Sequence, residues 1–106
     1  MGKKEQRLAS TLKDLVSSYL EKEVAGSGII TVTRVAVEGN LRAATIFVTM
    51  YPESEEAELL KTIKRRGGDL RAYVKDNVRT KFIPFFQFQI DKGEKLRQRI
   101  DELLKS

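Results

Sequence analysis

KTIKRRGGDLRAYVKDNVRTK, residues 61–81, holds eight Lys and Arg against Asp69 and Asp76 alone, and sets two adjacent glycines inside a helical pattern. The stretch sums to +6, while the rest of the chain, with twelve basic and thirteen acidic residues, sums to −1. The basic character is local, and local charge says more about a partner than a high isoelectric point does. Apolar Leu59, Leu60 and Ile63 lead into Lys64, Arg65 and Arg66. Gly67 and Gly68 then weaken any continuous helix by roughly 1 kcal/mol each relative to Ala. Leu70, Tyr73, Val74 and Asn77 resume one helical face at once. The pair therefore predicts a helix kink, with Arg71, Lys75 and Arg79 at i, i+4, i+8 forming a basic ridge that Lys64, Arg65 and Arg66 extend. Like charges so spaced repel, and an anionic partner relieves the repulsion.

Upstream, Leu8, Leu12, Leu15, Val16, Tyr19 and Leu20 define a helix over residues 4–24, which Gly26 and Gly28 end. IITVTRVAV at 29–37 is dominated by β-branched residues and predicts a strand. EGN at 38–40 is a turn. LRAATIFVTMY at 41–51 then puts Ala44, Ile46, Val48 and Met50 on one buried face, which leaves Phe47 on the other face in need of cover or a contact. Pro52 stops this strand, and Ser54 is the expected N-cap of the next helix, whose first turn carries Glu55, Glu56 and Glu58.

Downstream, FFQFQI at 85–90 alternates as a third strand opened by Pro84. Asp91 with Glu94 three residues on predicts a capping box. Leu96, Ile100, Leu103 and Leu104 follow at helical spacing. Core packing is the expectation for Phe82, Phe85, Phe86 and Phe88. Phe85 is set opposite Phe86 by the alternation, so capping the sheet or stacking on a base is open to it. The order helix, strand, strand, broken helix, strand, helix implies an α+β layer structure with helices over one face of a three-stranded sheet. With 106 residues and 41% hydrophobic composition, a single domain over 1–106 is expected.

The chain has no Cys and no His. Disulfides, thiol nucleophiles, a histidine general base and zinc sites built on those ligands are excluded. Carboxylates cluster in runs such as ESEEAE at 53–58, where helix-start electrostatics accounts for them. No catalytic residue, metal or cofactor is expected. No apolar run nears the roughly 20 residues that cross a bilayer, and no signal-peptide core opens the chain, so a cytoplasmic protein without membrane contact is expected. Nucleic acid is the natural partner for the ridge, through phosphate neutralisation by Lys64, Arg65, Arg66, Arg71, Lys75, Arg79 and Lys81. Lys3, Lys4 and Arg7, expected to be mobile, and the strand residues Arg34 and Arg42 are additional candidates. Two other readings fit the charge: a DNA-binding helix-turn-helix protein using the helix after Gly68, and a basic protein-interaction module.

Three stretches together resemble the bacterial ribosome-binding factor A family: ITVTRVAVEGNLRAATIFVTMYP at 30–52, RRGGDLRAYV at 65–74 and RTKFIPFFQFQID at 79–91. The T-x-V hairpin, G-x-x-R after the helix break and I-P-x-x-x-F-x-x-D carry the likeness over nearly the whole chain. The resemblance implies a type II K-homology-like fold that presents a basic face to small-subunit ribosomal RNA. It implies a factor that binds the immature 30S subunit and 16S rRNA, assists late maturation including the 5′ end, and matters most in the cold; a non-enzymatic monomer is the expectation beside it. The chain departs from K-homology RNA binders, whose G-x-x-G clamps the backbone, because its glycines are adjacent. It departs from the family's Ala-x-Gly kink by having Arg66 where Ala is usual, and a residue that large is expected to point outward and join the basic surface.

Overall fold

A computed structural model describes residues 2–26, 28–80 and 82–105. Helix α1 (Lys3–Glu23) is followed by β1 (Ile29–Val37), β2 (Ala43–Tyr51), a single 3-10 turn (Glu53–Glu55), α2 (Glu56–Arg65), α3 (Gly67–Asn77), β3 (Phe85–Ile90) and α4 (Lys92–Lys105). The sheet order is β1-β2-β3, with β1 and β2 antiparallel and β3 parallel to β2, so β3 is an edge strand. This is the α+β arrangement that the element order implied, and it is consistent with the K-homology-like fold that the family resemblance implied.

The core lies between the sheet and α1, α2 and α3. Leu12, Val16 and Leu20 of α1, Ile63 of α2 and Leu70 and Val74 of α3 are buried against Ile46 and Val48 at its centre. Tyr19 and Tyr73 meet at 5.5 Å between ring centroids and tie α1 to α3. Ala44, Ile46, Val48 and Met50 face this core, as the alternation requires.

Strand β1 contains a device that simple alternation misses. Continued from Ile30 and Val32, alternation would drive Arg34 into the core. A β-bulge between Val32 and Arg34 inserts Thr33, so Val35 and Val37 are the next buried residues and Arg34 stays outside. Its guanidinium lies 3.8 Å from the centroid of the Phe47 ring, which supplies the cover that Phe47 needs. The extra residue is used: the Thr33 hydroxyl donates to Asp91 Oδ2 at 2.6 Å and lies 3.2 Å from the Phe47 carbonyl oxygen. Asp91 Oδ1 in turn accepts from the Glu94 amide at 3.0 Å, the expected cap of α4. The Thr33 hydroxyl and then the Glu94 amide hold the Asp91 carboxyl below its usual pKa.

Four local expectations give way. Ser54 lies inside the 3-10 turn, so Glu55 rather than Ser54 occupies the N-cap position of α2, without a side-chain cap bond. Lys3, Lys4 and Arg7, expected to be mobile, lie in the first two turns of α1. The helix break falls on Arg66 (φ −90°, ψ 11°), and Gly67 and Gly68 are simply the first two residues of α3. Neither glycine has a positive φ, whereas Gly26 at +59° does, as the end of α1 requires. Finally, the apolar stripe of α4 is not buried: Leu96, Ile100, Leu103 and Leu104 are exposed and α4 buries no residue. This helix is held by charge. Lys95 Nζ sits 2.9 Å from Glu56 Oε2 and 3.0 Å from Glu53 Oε1, and Arg99 approaches Glu53 at 3.5 Å.

Candidate nucleic-acid interface

The predicted ridge divides where α3 ends. Asn77 Nδ2 donates to the Tyr73 carbonyl oxygen at 2.8 Å, and Val78 turns to extended backbone (φ −129°, ψ 155°). Arg71 and Lys75 are therefore one turn apart on α3, but Arg79 lies beyond the helix and is not part of that ridge. It lines a recess with Lys4 and Arg7 of α1 instead.

Arg71 is bound to the fold as well as carrying charge. Its Nη1 donates to the Pro84 carbonyl oxygen and its Nη2 to that of Ile83, both at 2.7 Å. The planar fork bridges two consecutive carbonyls just ahead of β3, a geometry lysine cannot reproduce. Its Cζ lies 5.6 Å from the Phe85 ring centroid.

Arg66 turns toward α1. Its Nη1 is 3.9 Å from Glu23 Oε2, and the Tyr19 hydroxyl, then Glu23, raise its pKa further. The side chain is 42% exposed. It is thus half-exposed and turned toward Glu23 of α1, whereas the sequence suggested that it stands fully outward. Arg65 is exposed on α2 and donates to Thr62 Oγ1 at 3.3 Å. Lys81 lies outside the described residues. Among the described residues, Lys64, Lys75 and Arg79 form no ion pair.

Three recesses run together across this side of the molecule. The first, between the start of α3 and edge strand β3, is lined by Lys64, Gly67, Gly68, Arg71 and the strand from Phe85 to Gln89. The second shares Phe85 and adds Arg42, Leu41, Thr80 and Phe82. The third shares Leu41 and Thr80 and adds Lys4, Arg7 and Arg79. Among the described residues, six basic ones from α1, the β1–β2 loop, α2, α3 and the segment after α3 line this band, and no acidic one does. Arg34, set over Phe47, lines none of these recesses.

The band explains its aromatic residues too. Phe88 is buried and Phe86 half-buried, as core packing requires, but Phe82 and Phe85 are 74% and 75% exposed. The expectation of core packing fails for those two. Strand alternation had already set Phe85 opposite Phe86, and no comparable signal exists for Phe82, which lies in a loop. Sequence reasoning also did not join Arg42 to Phe85, although the Phe85 amide donates to the Arg42 carbonyl oxygen at 2.8 Å.

Among the described residues no group of three or more acidic side chains could hold a metal, and no helix is long and apolar enough to cross a membrane. The helix-turn-helix reading is weakened at Arg71, whose guanidinium is tied to the carbonyls of Ile83 and Pro84 rather than free to reach a base.

Residues 4–104 match the ribosome-binding factor A family. A relative so named from Halothermothrix orenii is 33% identical over 103 residues, covering 94% of this chain and 84% of the relative. Another, from Natranaerobius thermophilus, is 31% identical over 107 residues, covering 98% and 82%. The fold is similar to the crystal structure of ribosome-binding factor A from Thermus thermophilus (TM-score 0.68, 21% identity, 81% of this chain and 94% of that one). It is also similar to the solution structure of a putative ribosome binding factor A from Thermotoga maritima (TM-score 0.70, 23% identity, 86% and 90%). A Thermus thermophilus ribosome binding factor A fitted into a cryo-EM map of a 30S complex is a further structural neighbour (TM-score 0.62, 22% identity, 85% and 93%). The chain belongs to the ribosome-binding factor A family.

Proposed function

We propose that this protein is a non-enzymatic assembly factor of the cytoplasm that binds the immature 30S subunit through 16S rRNA, as a monomer. Its role would be late maturation, including processing at the 5′ end of 16S rRNA, with the greatest need in the cold. The observation that carries the reading is the band of six basic residues with no acid among them, continuous from Lys64 to Arg7. A folded RNA presents closely spaced phosphates on a shaped surface, and a rigid, acid-free band neutralises them and releases their counterions. Lys75 and Arg65, exposed on α3 and α2, extend its field, and Lys3 and Lys81 are further candidates by charge. Arg71 contributes charge while its fork holds the chain before β3. Family membership and a fold-level neighbour fitted into a 30S complex support the same reading.

Co-sedimentation with small ribosomal subunits across a salt series tests it. With about five phosphates engaged, the logarithm of affinity should fall with the logarithm of salt with a slope of roughly −4. A nearly salt-independent association would refute phosphate recognition, and association that survives nuclease digestion of the RNA would point to a protein partner.

A further inference from the structure

The Phe85 ring is the anomaly in the band. Gln87 and Gln89, which share its face of β3, are polar, so the sheet does not require an aromatic there. Yet Phe85 is 75% exposed and lines both the first and the second recess. An apolar ring left in water at the junction of two basic recesses is costly unless something covers it.

The ring is also held still. Pro84 before it is fully buried and fixes its own φ, and the Phe85 amide is tied to the Arg42 carbonyl oxygen. The Arg71 fork clamps the carbonyls of Ile83 and Pro84, which sets the guanidinium beside the ring. Phe82, equally exposed, stands two residues from Pro84 in the second recess with Arg42. A ring whose backbone is already immobile loses little entropy on stacking.

We propose that Phe85, clamped beside Arg71 and flanked by Phe82, is a stacking platform for an unpaired RNA base whose phosphates lie on the basic band. The occupant follows from charge. The recesses on either side of the ring contain Lys64, Arg71 and Arg42 and no carboxylate, so a ligand reaching it brings negative charge. Every nucleobase has a π face, so an aromatic ring accepts any of them, and an adjacent guanidinium adds a second planar surface. The platform therefore contributes affinity for single-stranded or bulged nucleotides without selecting a sequence. The inference rests on the RNA reading above, and the experiment separates the two.

Anisotropy of the full chain with a short labelled oligoadenylate, and with an abasic oligomer of the same length, isolates the bases from the phosphates. Phe85→Ala should weaken oligoadenylate binding about tenfold and leave the abasic oligomer unaffected. Phe85→Trp should restore the affinity. Phe85→Leu, which keeps apolar bulk, should behave like the alanine variant with an unchanged urea midpoint. Lys64→Glu should weaken binding to both oligomers. Wild-type affinity of Phe85→Ala for oligoadenylate would overturn the stacking platform and leave the RNA reading standing. Binding of neither oligomer by the wild type would overturn the platform, and the RNA reading would then stand or fall on the co-sedimentation series alone. A Phe85→Ala defect seen only with whole small subunits, with the oligomers unaffected, would mean that the ring meets a protein and would overturn the platform.

Discussion

Two parts of this molecule carry dense positive charge, and they use it in opposite ways. On α4, Lys95 is shared by Glu53 and Glu56, Arg99 leans on Glu53, and Arg97 pairs with Glu94 and Asp101. Along the band from α2 to the start of α1, Lys64, Arg42, Arg79, Lys4 and Arg7 line recesses to which no described acidic residue contributes. The first arrangement spends charge on holding a helix whose leucines are left outside. The second leaves charge unspent inside the protein, as the proposed RNA-binding surface requires. Composition alone cannot separate the two, because both regions are rich in Lys and Arg.

The hardest test of this contrast is a matched reversal. Lys64→Glu, Arg42→Glu and Arg79→Glu together take one base from each recess, and should lower small-subunit affinity by about 100-fold or more and flatten the salt slope by about three. The thermal midpoint should move little, since exposed substitutions away from special features change little. Lys92→Glu, Arg97→Glu and Lys105→Glu alter net charge equally but lie on α4, so affinity should fall by a few-fold at most. Equal losses from the two triple variants, read by co-sedimentation at one salt concentration, would show that net charge and not the band governs binding.

Arg71 belongs to both sides of the comparison, and one substitution divides its roles. Arg71→Lys keeps the charge and loses the two bonds to Ile83 and Pro84. It should cost about 1–2 kcal/mol in urea unfolding. Affinity per folded molecule should drop by no more than a few-fold. Arg71→Ala should lose the same stability and additional affinity. An unchanged unfolding midpoint in the lysine variant would mean that the fork is dispensable to the fold.

The structural side of the charge has its own pH window. Asp91 Oδ2 accepts from the Thr33 hydroxyl and Oδ1 from the Glu94 amide, and both bonds favour the ionised form. Its pKa is lowered in the fold, so the stability it supplies is fully present above the ordinary carboxylate range and is lost as pH falls through the folded value. Asp91→Ala should cost about 1–2 kcal/mol at neutral pH. The gap from wild type should narrow in acid, below about pH 4. Urea titrations at several pH values check this, and a gap that persists undiminished into strong acid would mean that the carboxylate charge contributes nothing there.

What the sequence disclosed depended on the range of the interactions involved. The four helices, the hairpin and the third strand follow from periodicity, because Leu12, Val16 and Leu20, or Ala44, Ile46 and Val48, are spaced by local geometry. The Asp91 cap is equally local. Arg71 was visible as a charge but not as a fork, since its acceptors lie twelve and thirteen residues ahead across a loop. Arg79 kept helical spacing to Lys75, yet Asn77 ends the helix between them. The stripe on α4 had the pattern of a buried face, but pattern does not say whether a partner surface exists. The bulge at Thr33 left a faint trace, in that Val32, Val35 and Val37 make sense together only if one residue is extra.

The glycine pair supplies the smallest and most discriminating effect. The residues that looked like the cause of the bend do not need to be glycine for the backbone's sake: neither has a positive φ, and a Cβ added at Gly67 or Gly68 would meet nothing within 4 Å. Gly68→Ala should therefore stabilise the domain by about 0.5–1 kcal/mol, through better helix propensity and a more restricted unfolded chain. A rise of about 3–5 °C in the thermal midpoint is the expected reading. The open space beside the glycine is the floor of the first basic recess, next to Lys64 and Arg71. A ligand backbone lying there would meet the new methyl, so the variant that folds better should bind more weakly, by a few-fold. A lowered midpoint would mean that the bend itself requires glycine. A raised midpoint with unchanged affinity would move the ligand away from α3 and toward the Arg42 and Arg79 end of the band. The expected pairing, stability gained and affinity lost, would mean that the bare first turn of α3 exists for what passes over it rather than for the fold beneath.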